Sequence, residues 1–158
     1  MSSLQVDSIS SMGGGHVDGA GLVVQYVETS VSNSAGSIDT SASSFVNSGI
    51  EVAITPTFIG SKIFVNYTGS LAAVIPNHRL AVALFESDTK LTGSYGLGYL
   101  SSDGGTVYSP VTGNYVFTTT SLSPLNFAVW FQKSSGSTSV TLVHGNSSYI
   151  LSATEYAQ

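Results

Sequence analysis

The stretch GIEVAITPTFIGSKIFVNYTG, residues 49–69, contains two short segments in which apolar side chains recur at every second position. These side chains are Ile50, Val52 and Ile54 in the first segment and Ile63, Val65 and Tyr67 in the second. Successive side chains of a strand point to opposite faces, so a period of two is typical of strands with one buried face. Pro56 and Gly60 lie between the segments and interrupt regular structure. The stretch therefore predicts two consecutive β-strands joined by a loop.

Six more segments show the same alternation, or the same enrichment in β-branched and aromatic residues. They are residues 22–30, 79–87, 113–120, 125–133, 137–145 and 148–156. Glycine and proline breakers separate them, and no window of a dozen residues carries the 3.6-residue apolar period of an amphipathic helix. Many short strands without helices predict a sandwich or a barrel. The fold class we predict is all-β: a jelly-roll-like antiparallel sandwich of about eight strands, preceded by an extended N-terminal arm.

The composition is unusually poor in charge. Charged residues make up 8% of the 158 residues, against about 25% in a typical globular protein. The four basic residues, Lys62, Arg79, Lys90 and Lys133, are spread along the chain, which argues against a nucleic-acid partner because phosphate binding needs clustered cations. No stretch approaches 18 uninterrupted apolar residues, so no membrane partner is expected. Apolar, charge-poor surface is typical of contacts between identical subunits, and segment 125–133 is apolar on both faces. We therefore expect a homo-oligomer.

The residue types that carry catalysis or bind metals are few and scattered. His16, His78 and His144 lie in separate segments, and none has a metal-ligand spacing such as HExxH. The glycine-rich stretches match neither GxGxxG nor GxxxxGK[ST], GxSxG is absent, and there is no cysteine. Glu86 and Asp88 lie two residues apart at a predicted strand end, which indicates a solvated turn. The sequence thus predicts a non-enzymatic protein with no cofactor and no bound metal.

The first twenty residues are predicted to form an arm distinct from the domain at residues 21–158. Leu4, Val6 and Ile9 give the opening a strand-like pattern, and Gly13, Gly14 and Gly15 separate it from the rest. Since glycine accepts either sign of φ, the three glycines suit a hinge. We predict that Leu4, Val6 and Ile9 dock on the sheet edge of another protein, as extended peptides do. The alternative is that the opening adds an edge strand to its own sandwich.

Two other stretches have weaker strand patterns. Residues 30–43 form a serine-rich loop with room for a short edge strand. Residues 93–110 combine glycines with Tyr95, Tyr99 and Tyr108, a composition found in adaptable contact loops. We keep two interpretations of residues 93–110: a surface that contacts a receptor, or an ordinary connection whose tyrosines pack against the domain.

Three stretches together resemble a family of bacteriophage virion proteins, the tail-fibre-like or decoration proteins of phages of marine and freshwater bacteria. They are LQVDSIS at residues 4–10, residues 21–69, and residues 125–156. The resemblance implies a jelly-roll domain assembled as a homotrimer and attached to the particle by its N-terminus.

About a dozen residues separate the opening motif from the domain, where a fibre protein of the family carries a long shaft. This spacing favours a capsid decoration, or cement, protein whose partner is the major capsid protein. The alternative is a short tail-fibre or fibre-tip protein that is held by a tail or baseplate protein and binds a host-surface receptor. Both hypotheses place the chain in the virion, on the capsid surface or on the tail.

Overall fold

A computed structural model describes residues 21–31, 36–93, 96–145 and 147–157. The predicted arm with Leu4, Val6 and Ile9, the hinge at Gly13, Gly14 and Gly15, and Tyr95 of the predicted contact loop lie outside the described residues.

The described residues form eleven β-strands and no helix, which confirms the all-β prediction. The strands are β1 (Val23–Val31), β2 (Ile38–Thr40), β3 (Val46–Ile54), β4 (Lys62–Val74), β5 (His78–Glu86), β6 (Thr89–Lys90), β7 (Gly98–Ser102), β8 (Val107–Thr118), β9 (Leu125–Ser135), β10 (Val140–Val143) and β11 (Tyr149–Tyr156). All eight predicted segments are strands, and the three additional strands β2, β6 and β7 are short. Strand β2 is the edge strand within residues 30–43. Residues 93–110 are more regular than predicted, because they contain β7 and the beginning of β8.

The strands pair in a nested order. The outermost pair is β1 with β11, followed by β3 with β9, β4 with β8, and β5 with β7, and every pairing is antiparallel. The pairs of β11 with β4 and of β9 with β5 join them into two sheets, ordered β1-β11-β4-β8 and β3-β9-β5-β7. Strands β10 and β2 extend the first sheet, and β6 extends the second. Two four-stranded sheets formed by nested antiparallel pairs make a jelly roll, as predicted.

The core lies between the two sheets, and the alternation at residues 49–69 determines which side chains fill it. The six alternating apolar side chains that predicted the two strands are all buried, with exposed fractions of at most 5%. They pack with the inward side chains of the other long strands, which include Leu80, Val82, Leu84, Phe127, Val129, Phe131 and Leu151. Positions between them point outward, so a register shift of one residue would exchange the core and surface sets.

The outer face of the second sheet is covered in part by the chain itself. The ring of Trp130 on β9 stacks on Phe85 of β5, with centroids 4.4 Å apart and planes at 14°. Phe45, just before β3, packs on Phe85 at 5.7 Å, and the Lys90 ammonium lies 4.4 Å from the centroid of Phe45. The second apolar face of residues 125–133 thus packs against other residues of the same chain. That face was part of the reason for expecting a partner chain.

Candidate interaction surface

The two open sides of the sandwich differ. On the side where β1 lies over β3, side chains link the sheets: Thr29 Oγ1 donates to the Glu51 carbonyl and Gln25 Nε2 to the Thr55 carbonyl, each at 2.6 Å. On the opposite side, a cleft of about 190 Å³ separates β7 from β8. Its lining consists of Val82, residues 98–100 and residues 109–112. The cleft is large enough for one side chain or a small ring.

Two of the three tyrosines predicted to form a contact surface lie beside this cleft. Tyr99 lines it, and the Tyr99 hydroxyl lies 3.3 Å from Ser134 Oγ and 3.5 Å from Arg79 Nη1. The hydrogen bond to Ser134, together with the nearby Arg79 guanidinium, lowers the pKa of Tyr99. Tyr108 precedes the cleft residues of β8 and packs edge-on against His144, with ring centroids 5.0 Å apart. Both tyrosines are exposed, so their role in receptor contact stays a prediction.

The outer face of the first sheet is a second surface, and the strand register defines it as four rows of four residues across β1, β11, β4 and β8. We call it the four-row face. The rows are Val23, Tyr156, Lys62 and Thr118; Tyr26, Thr154, Phe64 and Val116; Glu28, Ser152, Asn66 and Asn114; and Ser30, Ile150, Thr68 and Thr112. Six of these sixteen side chains are apolar or aromatic. Val23, Tyr26 and Val116 are each more than 50% exposed, so apolar surface meets solvent across the whole width of the sheet.

The four-row face carries one acid and one base. The Glu28 carboxylate accepts hydrogen bonds from the hydroxyls of Tyr26 and Ser30. Its bond to Tyr26 is the main cause of the raised pKa of that phenol. The Lys62 ammonium donates to Thr118 Oγ1 at 2.6 Å. Both charged groups therefore have hydrogen-bond partners within the four-row face. These partners lower the desolvation cost of covering the face with another surface.

A buried carboxylate fixes one end of the sandwich, and the sequence interpretation did not single it out. Glu155 on β11 has no solvent exposure. It accepts hydrogen bonds from Ser61 Oγ and Gln25 Nε2, each at 2.6 Å, and from the amides of Thr57 and Phe58 at 3.0 and 3.2 Å. Burial alone would raise the pKa of Glu155, but these donors outweigh it and lower the pKa to about 2. Glu155 thus ties the loop between β3 and β4 to β11.

The described histidines have structural partners. The His78 ring is buried, with Nδ1 2.7 Å from the Pro76 carbonyl and Nε2 accepting from the Thr138 amide at 2.9 Å. Within residues 21–31, 36–93, 96–145 and 147–157, no three His, Cys, Asp or Glu side chains are grouped so that they could hold a metal ion. The same residues contain no helix long and apolar enough to cross a membrane.

No protein-family model and no curated protein matches the chain. Among solved structures it is similar to a chain in the structure of the infectious bursal disease virus Gx strain, with a TM-score of 0.44 and 12% identity over 85% of this chain. This chain spans about a third, 33%, of the length of that viral chain. It is also similar to a chain of the cyanophage Pam1 capsid asymmetric unit, with a TM-score of 0.39 and 14% identity over 100% of both chains.

Proposed function

We propose that this chain is a non-enzymatic bacteriophage virion protein: a homotrimeric jelly-roll knob that decorates and stabilises the capsid as a cement protein. The proposal rests on the position in the fold of the stretches that resemble the bacteriophage virion family. Residues 21–69 and 125–156 supply β1, β11 and β4 of the first sheet and β3 and β9 of the second. These strands are neighbours, so the resemblance covers one continuous part of the sandwich. A stable all-β domain with an apolar outer face suits a protein whose function is to assemble.

The proposed attachment to the capsid uses residues 1–20. The first described residue, Gly21, is already tied to the sheet, since its amide donates to the Ala157 carbonyl at 2.7 Å and the Ala157 amide donates to the Leu22 carbonyl at 2.9 Å. An arm that precedes Gly21 therefore leaves the domain at the corner formed by β1 and β11. In this proposal Leu4, Val6 and Ile9 add a strand to a sheet edge of the major capsid protein. Three arms on one trimer strengthen a weak individual contact through effective concentration.

A second candidate function rests on the cleft between β7 and β8. Its Tyr99 side chain combines an aromatic face with hydrogen-bonding partners, a combination that suits a receptor on a host surface. In that case the chain is a short tail-fibre or fibre-tip protein held by a tail or baseplate protein.

Removing the arm tests the proposed attachment. We expect the chain without residues 2–20 to keep its melting temperature and its oligomeric state but to stop co-sedimenting with particles that lack the protein. Replacing Leu4, Val6 and Ile9 by serine in the full chain should have the same effect on co-sedimentation. The control is replacement of Ser8 and Ser10 by alanine, which leaves the apolar positions intact and should bind normally. A truncated knob that unfolds would place the opening in its own sandwich and refute the docking arm.

A further inference from the structure

We infer that the linkage between Asp103 and Gly104 is a site of spontaneous backbone modification, at which aspartate converts to isoaspartate. The site lies in the turn at residues 103–106, which joins β7 of the second sheet to β8 of the first. The inference goes beyond the proposed virion function and does not depend on it, since the reaction needs only the Asp103 side chain, the Gly104 amide and water.

The reaction is an intramolecular cyclisation followed by hydrolysis. The Gly104 nitrogen attacks Cγ of Asp103, an N–Cγ bond forms, and the Cγ hydroxyl leaves as water together with the amide proton. Water then opens the cyclic imide at one of its two carbonyls. Cleavage of the bond to Cγ restores aspartate, whereas cleavage of the bond to the main-chain carbonyl of Asp103 gives isoaspartate, whose backbone is longer by a methylene group. No oxidant or reductant takes part, and the mass of the chain does not change.

The structure leaves both reacting groups free. Asp103 and Gly104 are exposed, and the Asp103 carboxylate and the Gly104 amide form no hydrogen bond or ion pair with another described residue. Apart from its neighbours in the chain, no atom lies within 4 Å of a Cβ placed on Gly104. Because glycine has no side chain and accepts a wide range of φ, its amide can turn toward Cγ without a clash. The turn therefore does not hinder the cyclisation.

The other described aspartates lack this combination. Asp39 lies within β2, where its carboxylate accepts a hydrogen bond from Thr141 Oγ1. Asp88 is exposed in the turn between β5 and β6, but the next residue, Thr89, belongs to β6 and pairs with Glu86. Strand pairing restricts the backbone of Thr89, and its β-branched side chain crowds the approach of the amide to Cγ. Asp88 thus serves as an exposed aspartate in the same chain against which the Asp103 site can be measured.

Isoaspartate in the turn would loosen β7. The Ser102 hydroxyl donates to the Gly105 carbonyl, and the Asn77 amide donates to the Ser102 carbonyl at 2.7 Å. An extra methylene group between Ser102 and Gly105 changes the separation that the first of these bonds spans. Strand β7 has five residues and pairs with β5 along one side, so little other backbone pairing holds it. The modification therefore reaches the cleft between β7 and β8, which residues 98–100 line.

The test is ageing of the full chain in solution, followed by measurement of isoaspartate at each position. Samples are aged at about pH 5, where a fraction of ordinary aspartic side chains is protonated and can release water. Trypsin cleaves after lysine and arginine, so Asp103 is the aspartate of peptide 91–133 and Asp88 that of peptide 80–90. The same dipeptide at residues 18–19, outside the described residues, falls in peptide 1–62. Isoaspartyl methyltransferase labels isoaspartate in each peptide, and an unchanged mass separates isomerisation from asparagine deamidation.

We expect isoaspartate in peptide 91–133 to accumulate roughly tenfold faster than in peptide 80–90. Gly104→Ala should remove most of that difference. Gly105→Ala is the matched control, because Gly105 is equally exposed, also has no atom within 4 Å of an added Cβ, and does not follow the aspartate; it should age like wild type. The β7 amides should exchange hydrogen faster in aged wild type than in aged Gly104→Ala.

The outcomes separate the site from its effect. Equal accumulation in peptides 91–133 and 80–90, or accumulation in Gly104→Ala at the wild-type rate, would overturn the modification site. Slow accumulation in Gly105→Ala would also count against it, since the effect would then not depend on the residue that follows Asp103. Unchanged hydrogen exchange of β7 in chains that carry isoaspartate at position 103 would overturn the loosening of β7.

Discussion

Replacing Glu155 by glutamine tests whether the buried carboxylate stabilises the fold as its geometry implies. Glutamine has nearly the same shape, but its amide group turns N–H donors toward a pocket that already contains the donors of Ser61, Gln25 and the Thr57 and Phe58 amides. The pKa falls from 4.5 to about 2 on folding. At about 1.4 kcal/mol per pKa unit, this depression contributes about 3–4 kcal/mol to the free energy of unfolding.

The sign of the pH dependence follows from the direction of the shift. A carboxyl group whose pKa is depressed on folding stabilises the protein at pH values above its unfolded pKa, here 4.5. That stability is lost as the pH falls toward about 2, where the folded group takes up its proton. Urea denaturation should therefore show Glu155→Gln about 3–4 kcal/mol less stable than wild type at pH 7, with the difference shrinking between pH 4.5 and pH 2.

Two controls make the experiment decisive. All samples are compared at one protein concentration, because association adds to apparent stability. Glu86→Gln removes a carboxylate that bonds the neighbouring Ser87 hydroxyl at 2.9 Å, and its effect should stay within about 0.5 kcal/mol. The reasoning is refuted if Glu155→Gln is as stable as wild type at pH 7, or if the difference between them does not change with pH.

Substitutions at Gly96 and at Tyr67 give two further predictions. Gly96→Ala should lower the free energy of unfolding by at least about 2 kcal/mol, because Gly96 has φ of +71° and a Cβ there would lie 1.9 Å from the Val82 carbonyl oxygen. Gly93→Ala, with no atom within 4 Å of the added Cβ, is the control, and equal stability of the two variants in urea would contradict the argument. Tyr67→Phe should raise the free energy of unfolding by about 1 kcal/mol, because the buried Tyr67 hydroxyl has no hydrogen-bond partner among the described residues. A loss of more than 1 kcal/mol in the same assay would mean that the hydroxyl stabilises the fold.

Local patterns in the sequence predicted the long strands well, for a physical reason. Alternation at residues 49–69 requires one buried face, and β3 and β4 form there with all six predicted side chains in the core. Strands β6 and β7 were missed because they are two and five residues long and are held by pairing with β5. Such strands depend on a partner elsewhere in the chain, and their own residues carry no sufficient signal.

The surfaces were harder to predict than the strands. Segment 125–133 is apolar on both faces, and part of its second face packs on Phe85, which in turn contacts Phe45. These residues come close only because β9 pairs with β5. The four-row face draws on four strands that are distant in sequence, so only the register reveals it. The burial of Glu155 could have been predicted from the sequence, because Glu155 alternates with Leu151 and Ala153 on the inward side of β11.

A reconstruction of the phage particle that carries this chain tests the central claim most directly. The account predicts trimeric knobs of jelly-roll size at many equivalent positions on the capsid surface, each joined to the shell by thin density from residues 1–20. Density for the chain at the tail alone would contradict the cement function and favour the receptor-binding alternative. Complete absence of the chain from purified particles would contradict the virion proposal itself.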